Sequence, residues 1–306
     1  MPDPASLKLL APAKINLFLH VVGRRPDGYH LLQSAFELID WADEIRLDST
    51  QDGMISRTGD LLGPADHDLA VRAAQALQQT PRWQAVGRPG ATIEVRKSIP
   101  AGAGLGGGSS DAASTLMGLN QLWGLALDRA RLAQIGLTLG ADVPFFLFGR
   151  AAFAEGIGEE LAAYEACPRW LLLAVPTCHV PTARIFAAPE LTRNSKPLKI
   201  AGFAQAAQEP VWEFGRNDLE PVTKAQFPEV GRVLQWLTQA AASEGIAPAA
   251  VRMSGSGSAV FCTTPNAETA QRLHDRMVSM LQTLQGDRLP QLRVCQTLLR
   301  HPEHLL

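Results

Sequence analysis

Five glycines fall within seven positions of "PAGAGLGGGSSDAAS" (100–114), between a strand-like run and a helix-like run. Glycine has no Cβ and tolerates positive φ, so successive backbone N–H groups can turn to one side. A helix N terminus directly behind adds unpaired N–H groups and partial positive charge. The chemistry this permits is the binding of an anion, phosphate oxygens above all. A plain strand-to-helix connector needs only about 2–6 residues and few glycines. Gly102-x-Gly104-x-x-Gly107 fits a dinucleotide fingerprint, but that motif requires a second strand ending in an acid about 20 residues on. Here the next expected element is another helix, with Asp128 at its start. A Walker loop closes on Gly-Lys-Ser/Thr, whereas this one closes on Gly-Ser-Ser. Asp111 is an awkward neighbour for phosphate. Its carboxylate is expected to point away from the anion or toward a metal.

The elements that must hold this loop follow from hydrophobic periodicity. Strands are expected at 7–11 and 15–22, split by "PAK", and at 31–40 and 43–49 after a turn in "GRRPDGYH" (23–30). The spacing predicts a helix over 68–79 and a strand over 91–99 that leads into the glycine run. A helix over 109–124 follows, capped by Ser109 or Ser110. Another spans 128–140 and stops at Gly140. Residues 141–161 read as short strands and turns. Beyond a joint near 162–168 come a strand (169–175), a helical stretch (about 197–245), strands at 249–253 and 258–263, a helix (266–284) and a strand (291–299). That order approximates β-α-β-β-α-β, a ferredoxin-like pattern. The fold class is α+β, with two domains expected at 1–163 and 164–306.

Composition narrows the function classes. A chain of 306 residues that is 46% hydrophobic and 19% charged can build a sizeable core. A formal net charge of -2 gives no global basic field for nucleic acid or an anionic membrane. No apolar run approaches the ~18–20 residues of a membrane span, and "MPDPASLKLLAPAK" does not read as a secretory signal. Cys167, Cys178, Cys262 and Cys295 form no C-x-x-C pair and no zinc comb. Free thiols in a reducing cytoplasm are the expectation.

"PAGAGLGGGSSDAAS" resembles the phosphate loop of the galactokinase–homoserine kinase–mevalonate kinase–phosphomevalonate kinase (GHMP) superfamily. "PAKINLFLHVVGRRPDGYH" (12–30), "LTLGADVPFFLFG" (137–149), "VPTARIF" (180–186), "NDLEPV" (217–222) and "SGSGSAVF" (254–261) are similar, in the same order, to segments of one of its member families. That family phosphorylates a cytidyl-diphosphate alcohol. The resemblance implies a two-domain GHMP kinase fold, with an N-terminal ribosomal-protein-S5-domain-2-like ATP-binding domain and a C-terminal ferredoxin-like domain. It also implies ATP and Mg2+, a small-molecule cytidyl diphosphate substrate, and no nucleic-acid or membrane partner.

The implied roles fall on residues that have plainer readings of their own. Lys14, otherwise a surface charge, matches the catalytic lysine. Asp142, otherwise a turn residue, matches the proposed catalytic base. The nucleotide site would comprise Lys97, Pro100, Gly102, Gly104, Leu105, Gly106, Gly107, Gly108, Ser109 and Ser110, although Lys97 is equally readable as an edge-strand charge. Substrate contacts fall on Asn16, Tyr29, His30, Thr182 and Phe186, with a cytosine ring between Tyr29 and Phe186 and its polar edge on His30. "SGSGS" (254–258) alone reads as a hairpin turn. One position departs from the family: Asp68 stands where asparagine is usual, and an ionised carboxylate only accepts hydrogen bonds.

Overall fold

The expected break at "PAK" is a β-bulge instead. In the computed structural model, which describes residues 6–61, 63–198, 203, 205–282, 289–304 and 306, one strand β1 runs from Ser6 to Arg24. It pairs antiparallel with an equally unbroken β2 (His30–Thr50), with register shifts between Pro12 and Lys14, Asn16 and Phe18, and Val21 and Gly23. A bulge inserts a residue without ending the strand, so a proline is tolerated there. Alternation along β1 then sets two faces. Leu9 and Ala11, then Ala13, Ile15 and Leu17, and then Leu19 with Val21 feed three successive apolar cores. Lys14 and Asn16 share the other face and are almost completely buried.

Around this hairpin the N-terminal half is assembled. β3 (Ile55–Gly59) and β4 (Gly90–Arg96) pair in parallel across α1 (Leu69–Gln78) and the short α2 (Pro81–Ala85). α3 (Gly107–Leu122) and α4 (Arg129–Leu139) follow. The residues expected as strand at 141–149 instead form α5 (Val143–Phe148). "VPFFLF" has no period that separates helix from strand. Pro144 in the first turn and Gly149 in the left-handed C-cap decide for helix. β5 (Ala152–Glu155) and β6 (Glu160–Ala163) close the half.

The C-terminal half runs β7 (Trp170–Val175), α6 (Thr182–Ala187), α7 (Glu220–Gln226), α8 (Pro228–Ser243), β8 (Val251–Met253), β9 (Val260–Thr264), α9 (Ala267–Gln282) and β10 (Gln291–Leu298). Its antiparallel sheet has the order β10-β7-β9-β8, the ferredoxin-like arrangement. The helical stretch expected over 197–245 is interrupted: residues 203, 205 and 206 are helical, and α7 and α8 follow from Glu220 onward; residues 199–202 and 204 lie outside the described ones. β10 also pairs with β2 through Thr297 and Leu298, so one sheet passes through both halves. Ile15, Leu17 and Phe18 pack with Leu171, Leu173 and Phe261 in a shared core. Among the described residues no helix is long and apolar enough to cross a membrane.

Candidate active site

The glycine run connects β4 to α3 and opens on a cavity of about 570 Å³ between the halves. Its carbonyls are drawn into the protein. Ala259 N donates to Ala103 O at 3.0 Å and Lys14 N to Leu105 O at 2.9 Å. Ser254 Oγ donates to Gly104 O at 3.0 Å. Helix α3 starts at once, with Gly106 as its N-cap at φ 72°, and the first intrahelical bond is Ser110 N to Gly106 O. The amides of Gly107, Gly108 and Ser109 therefore have no acceptor within the helix, and all three residues line the cavity. Only glycine fits two of these positions. A Cβ on Gly104 would stand 2.3 Å from Ser254 O, and one on Gly106 would stand 2.8 Å from the Phe146 ring. The expected serine cap is corrected here: Ser110 lies inside the first turn, fully buried, and donates to Pro12 O at 2.7 Å.

The two groups expected to act on the reacting atoms line the same cavity. Lys14 Nζ donates to Asn16 Oδ1 at 2.5 Å and lies 3.6 Å from Asp142 Oδ2. The ammonium also sits over the Phe36 ring at 5.1 Å. Its side chain is 5% exposed and that of Asp142 is 36% exposed. Asp142 occupies the N-cap position of α5 but makes no capping bond, so its carboxylate is free to face the cavity. Asn16 anchors this pair. Its Nδ2 donates to Ser34 Oγ at 2.9 Å and its backbone N to Ser254 Oγ at 3.2 Å. Ser254 thus bonds both the glycine loop and β1.

Of the remaining expected residues, Thr182 and Phe186 line the cavity, and Thr182 Oγ1 lies 2.7 Å from Ser256 Oγ. "SGSGS" is the turn between β8 and β9. Asn217 fastens it, donating to Met253 O and Gly255 O at 2.8 Å each. His30 stacks on Phe186, with ring centroids 5.1 Å apart and planes at 30°. Tyr29 is 60% exposed, and neither Tyr29 nor His30 lines the cavity.

Comparison with known proteins converges on one group. Residues 68–150 match the N-terminal domain of GHMP kinases, and residues 200–282 match their C-terminal domain. The 4-diphosphocytidyl-2-C-methyl-D-erythritol kinase of Cupriavidus metallidurans is 49% identical over 280 residues, 91% of each chain. That of Aromatoleum aromaticum is 50% identical over 276 residues, 89% of this chain and 90% of that one. The chain belongs to the 4-diphosphocytidyl-2-C-methyl-D-erythritol kinase family of GHMP kinases. A crystal structure of a 4-(cytidine 5'-diphospho)-2C-methyl-D-erythritol kinase aligns with a TM-score of 0.74 at 33% identity, covering 95% of this chain and 99% of that one. A homoserine kinase from Cytophaga hutchinsonii shares the fold alone, with a TM-score of 0.66 at 16% identity over 97% of this chain and 95% of that one.

In this kinase the departure at Asp68 has a structural counterpart. Asp68 Oδ1 accepts from Ala70 N at 2.8 Å and caps α1, and its Oδ2 accepts from Arg57 Nε at 3.0 Å. The Arg57 side chain is 2% exposed and lines the cavity with Asp68. The guanidinium that holds this carboxylate also donates to Thr58 O and Asp60 O. No residue spacing reveals this, because Arg57 comes from β3, a strand the periodicity left unseen.

Lys97 is held away from open solvent between two acids. Its Nζ lies 2.5 Å from Asp43 Oδ2 and 2.6 Å from Asp111 Oδ2. Asp43 Oδ1 also accepts from Ser98 N and Ile99 N, which fixes the chain where it enters the glycine loop. The Asp111 carboxylate, expected to point away from the anion or toward a metal, meets the Lys97 ammonium instead of a metal and itself lines the cavity, and among the described residues its buried Oδ1 has no hydrogen-bond partner. Burial raises the Asp111 carboxyl to about 7 in spite of Lys97, with the Asp43 charge adding to the rise. Lys97 is itself raised, because the two carboxylates outweigh its own burial. The consistent reading is a charged Lys97 shared with Asp43, and an Asp111 that holds its proton to near neutrality.

The sign of the consequence follows from proton linkage. Between the unfolded value of about 3.9 and about 7, the native state binds a proton that the unfolded chain has released. Stability is lost as pH rises through that window. Asp111→Asn should therefore raise the denaturation midpoint over the native enzyme more at pH 8 than at pH 5. An equal effect at both pH values, measured by denaturant titration, would show that Asp111 does not titrate there.

Proposed function

We propose that this kinase transfers the terminal phosphoryl group of ATP to the 2-hydroxyl of 4-diphosphocytidyl-2-C-methyl-D-erythritol, giving the 2-phosphate and ADP, a step that supplies isoprenoid precursors. The observation that carries this reading is the juxtaposition of Lys14 and Asp142, 3.6 Å apart, with the unpaired amides of Gly107 to Ser109 across one cavity. Phosphoryl transfer is mainly positioning and charge stabilisation around a loose transition state. The amides and the α3 N terminus hold the triphosphate. Lys14 stabilises the transferring group, and Asp142 orients the substrate hydroxyl and accepts its proton as the oxygen attacks. His30, Phe186 and Tyr29 receive the cytosine, with Asn16 and Thr182 along the linking chain.

Ser109 and Asp142 both line the cavity and offer hard oxygen donors that suit Mg2+. Among the described residues no group of three or more His, Cys, Asp or Glu forms a metal cage. Phosphates and water would therefore complete the shell of a magnesium ion that neutralises the triphosphate. We assign residues 1–163 to the nucleotide domain and 164–306 to the second domain, which contributes the 254–258 turn. Steady-state assays with the cytidyl alcohol and with homoserine decide the substrate. The expected result is one ADP per 2-phosphate formed, with homoserine turned over far more slowly. A preference for homoserine overturns the reading.

A further inference from the structure

The ring of His30 is not free to choose its tautomer. Arg193 Nε donates to His30 Nε2 at 3.1 Å. The guanidinium is fixed independently of that bond. Its Nη1 donates to Pro189 O at 3.3 Å and Leu191 O at 3.1 Å. Its Nη2 donates to Phe186 O at 3.2 Å and Ala188 O at 2.6 Å. Four carbonyls thus set its plane and aim Nε at the imidazole. Arginine stays protonated and only donates, so Nε2 must offer a lone pair. The single ring proton is then on Nδ1, which has no hydrogen-bond partner among the described residues. The same arginine closes the carbonyl end of α6 at Phe186, the ring on which His30 stacks.

We infer that Arg193 is a positioning residue that sets base selection: by accepting no proton itself, it leaves His30 a pure donor toward a pyrimidine whose ring nitrogen accepts. Cytosine has such an unprotonated N3. Uracil carries N3–H and would oppose donor to donor. A site built around one hydrogen-bonding pattern rejects the wrong pattern strongly, because a buried polar group is left unpaired. Burial, Arg193 and Arg24 all disfavour a second proton on His30, which keeps the neutral tautomer in place near neutral pH. This inference rests on the reading that the cytosine sits at His30 and Phe186.

Two measurements test it. Nitrogen-15 NMR of labelled histidines, with His30 assigned through His30→Gln, reports the tautomer in the free enzyme. The expected result is a protonated Nδ1 and an unprotonated Nε2, shifting to a mixture in Arg193→Met. Competitive kcat/KM for the cytidyl alcohol and its uridyl analogue gives the selection. The native ratio should be about 10²-fold or more in favour of cytidyl. It should fall about tenfold in Arg193→Met and be partly restored in Arg193→Lys, whose ammonium can still donate to Nε2. A native spectrum showing protonated Nε2, or an unchanged ratio in Arg193→Met, overturns the role of Arg193. A native enzyme that does not separate the two substrates overturns the base-site reading instead, while the NMR result still reports on the Arg193–His30 bond.

Discussion

Asp142→Asn should lower kcat by about 10²–10⁴-fold, the range spanned by a positioned acid or base, with KM for either substrate nearly unchanged. The substitution keeps shape and removes the negative charge, and with it the capacity to accept a proton and the ion pair with Lys14. Three features of the fold make the experiment clean. Asp142 makes no capping bond to α5, so the helix loses no hydrogen bond. Its side chain is 36% exposed, so an amide there finds water rather than an unsatisfied interior. Its partner Lys14 keeps its bond to Asn16 in the variant. Rapid-quench single-turnover kinetics would place the loss in the chemical step. Turnover equal to that of the native enzyme would remove Asp142 from the mechanism, and a rise in KM alone would make it a binding residue.

The glycine run was legible as a sharp entry into a helix because glycine density before a helix has a direct physical meaning, and the structure places there amides with no acceptor within the helix. The ferredoxin-like half was legible for a similar reason, since its strands and helices carry clear periodicity and their order matches the sheet observed. Other features were hidden by cause. β1 and β2 read as four strands because bulges break hydrophobic alternation without breaking the ladder. α5 read as strand because six consecutive apolar residues carry no period. Asp43 and Arg57 were missed altogether. Asp43 acts through Lys97, 54 residues on, and Arg57 through Asp68, 11 residues on but across the turn that leaves β3, and a single sequence does not show such pairings. Arg193 escaped for the same reason: its partner His30 is 163 residues distant. Asn217 and Ser254 lay in segments whose likeness was noted, yet their work is to bind backbone to backbone, which residue type alone does not disclose.

Lys14→Met should lower kcat by about 10²–10³-fold, equivalent to about 2.7–4 kcal/mol of transition-state stabilisation, while ATP affinity changes by less than about threefold. Methionine preserves the stem that packs near Gly106 and Phe36, and it removes the charge. The glycine loop is not released, because it is the backbone N of Lys14, not the side chain, that donates to Leu105 O. Little folding stability should go with the charge either: Asp142 remains partly in water, and Asn16 keeps Ser34. Lys97 offers the control for this reasoning. Removing it strands Asp43, whose side chain is fully buried, so Lys97→Met should be costly to stability in a way that Lys14→Met is not. Loss of a charge that meets the reaction is read in kcat; loss of a charge that holds the fold is read in the denaturation midpoint. If Lys14→Met instead weakened ATP binding at unchanged kcat, the lysine would belong to ground-state binding of the triphosphate and the transition state would have to be stabilised by the amides and the metal alone.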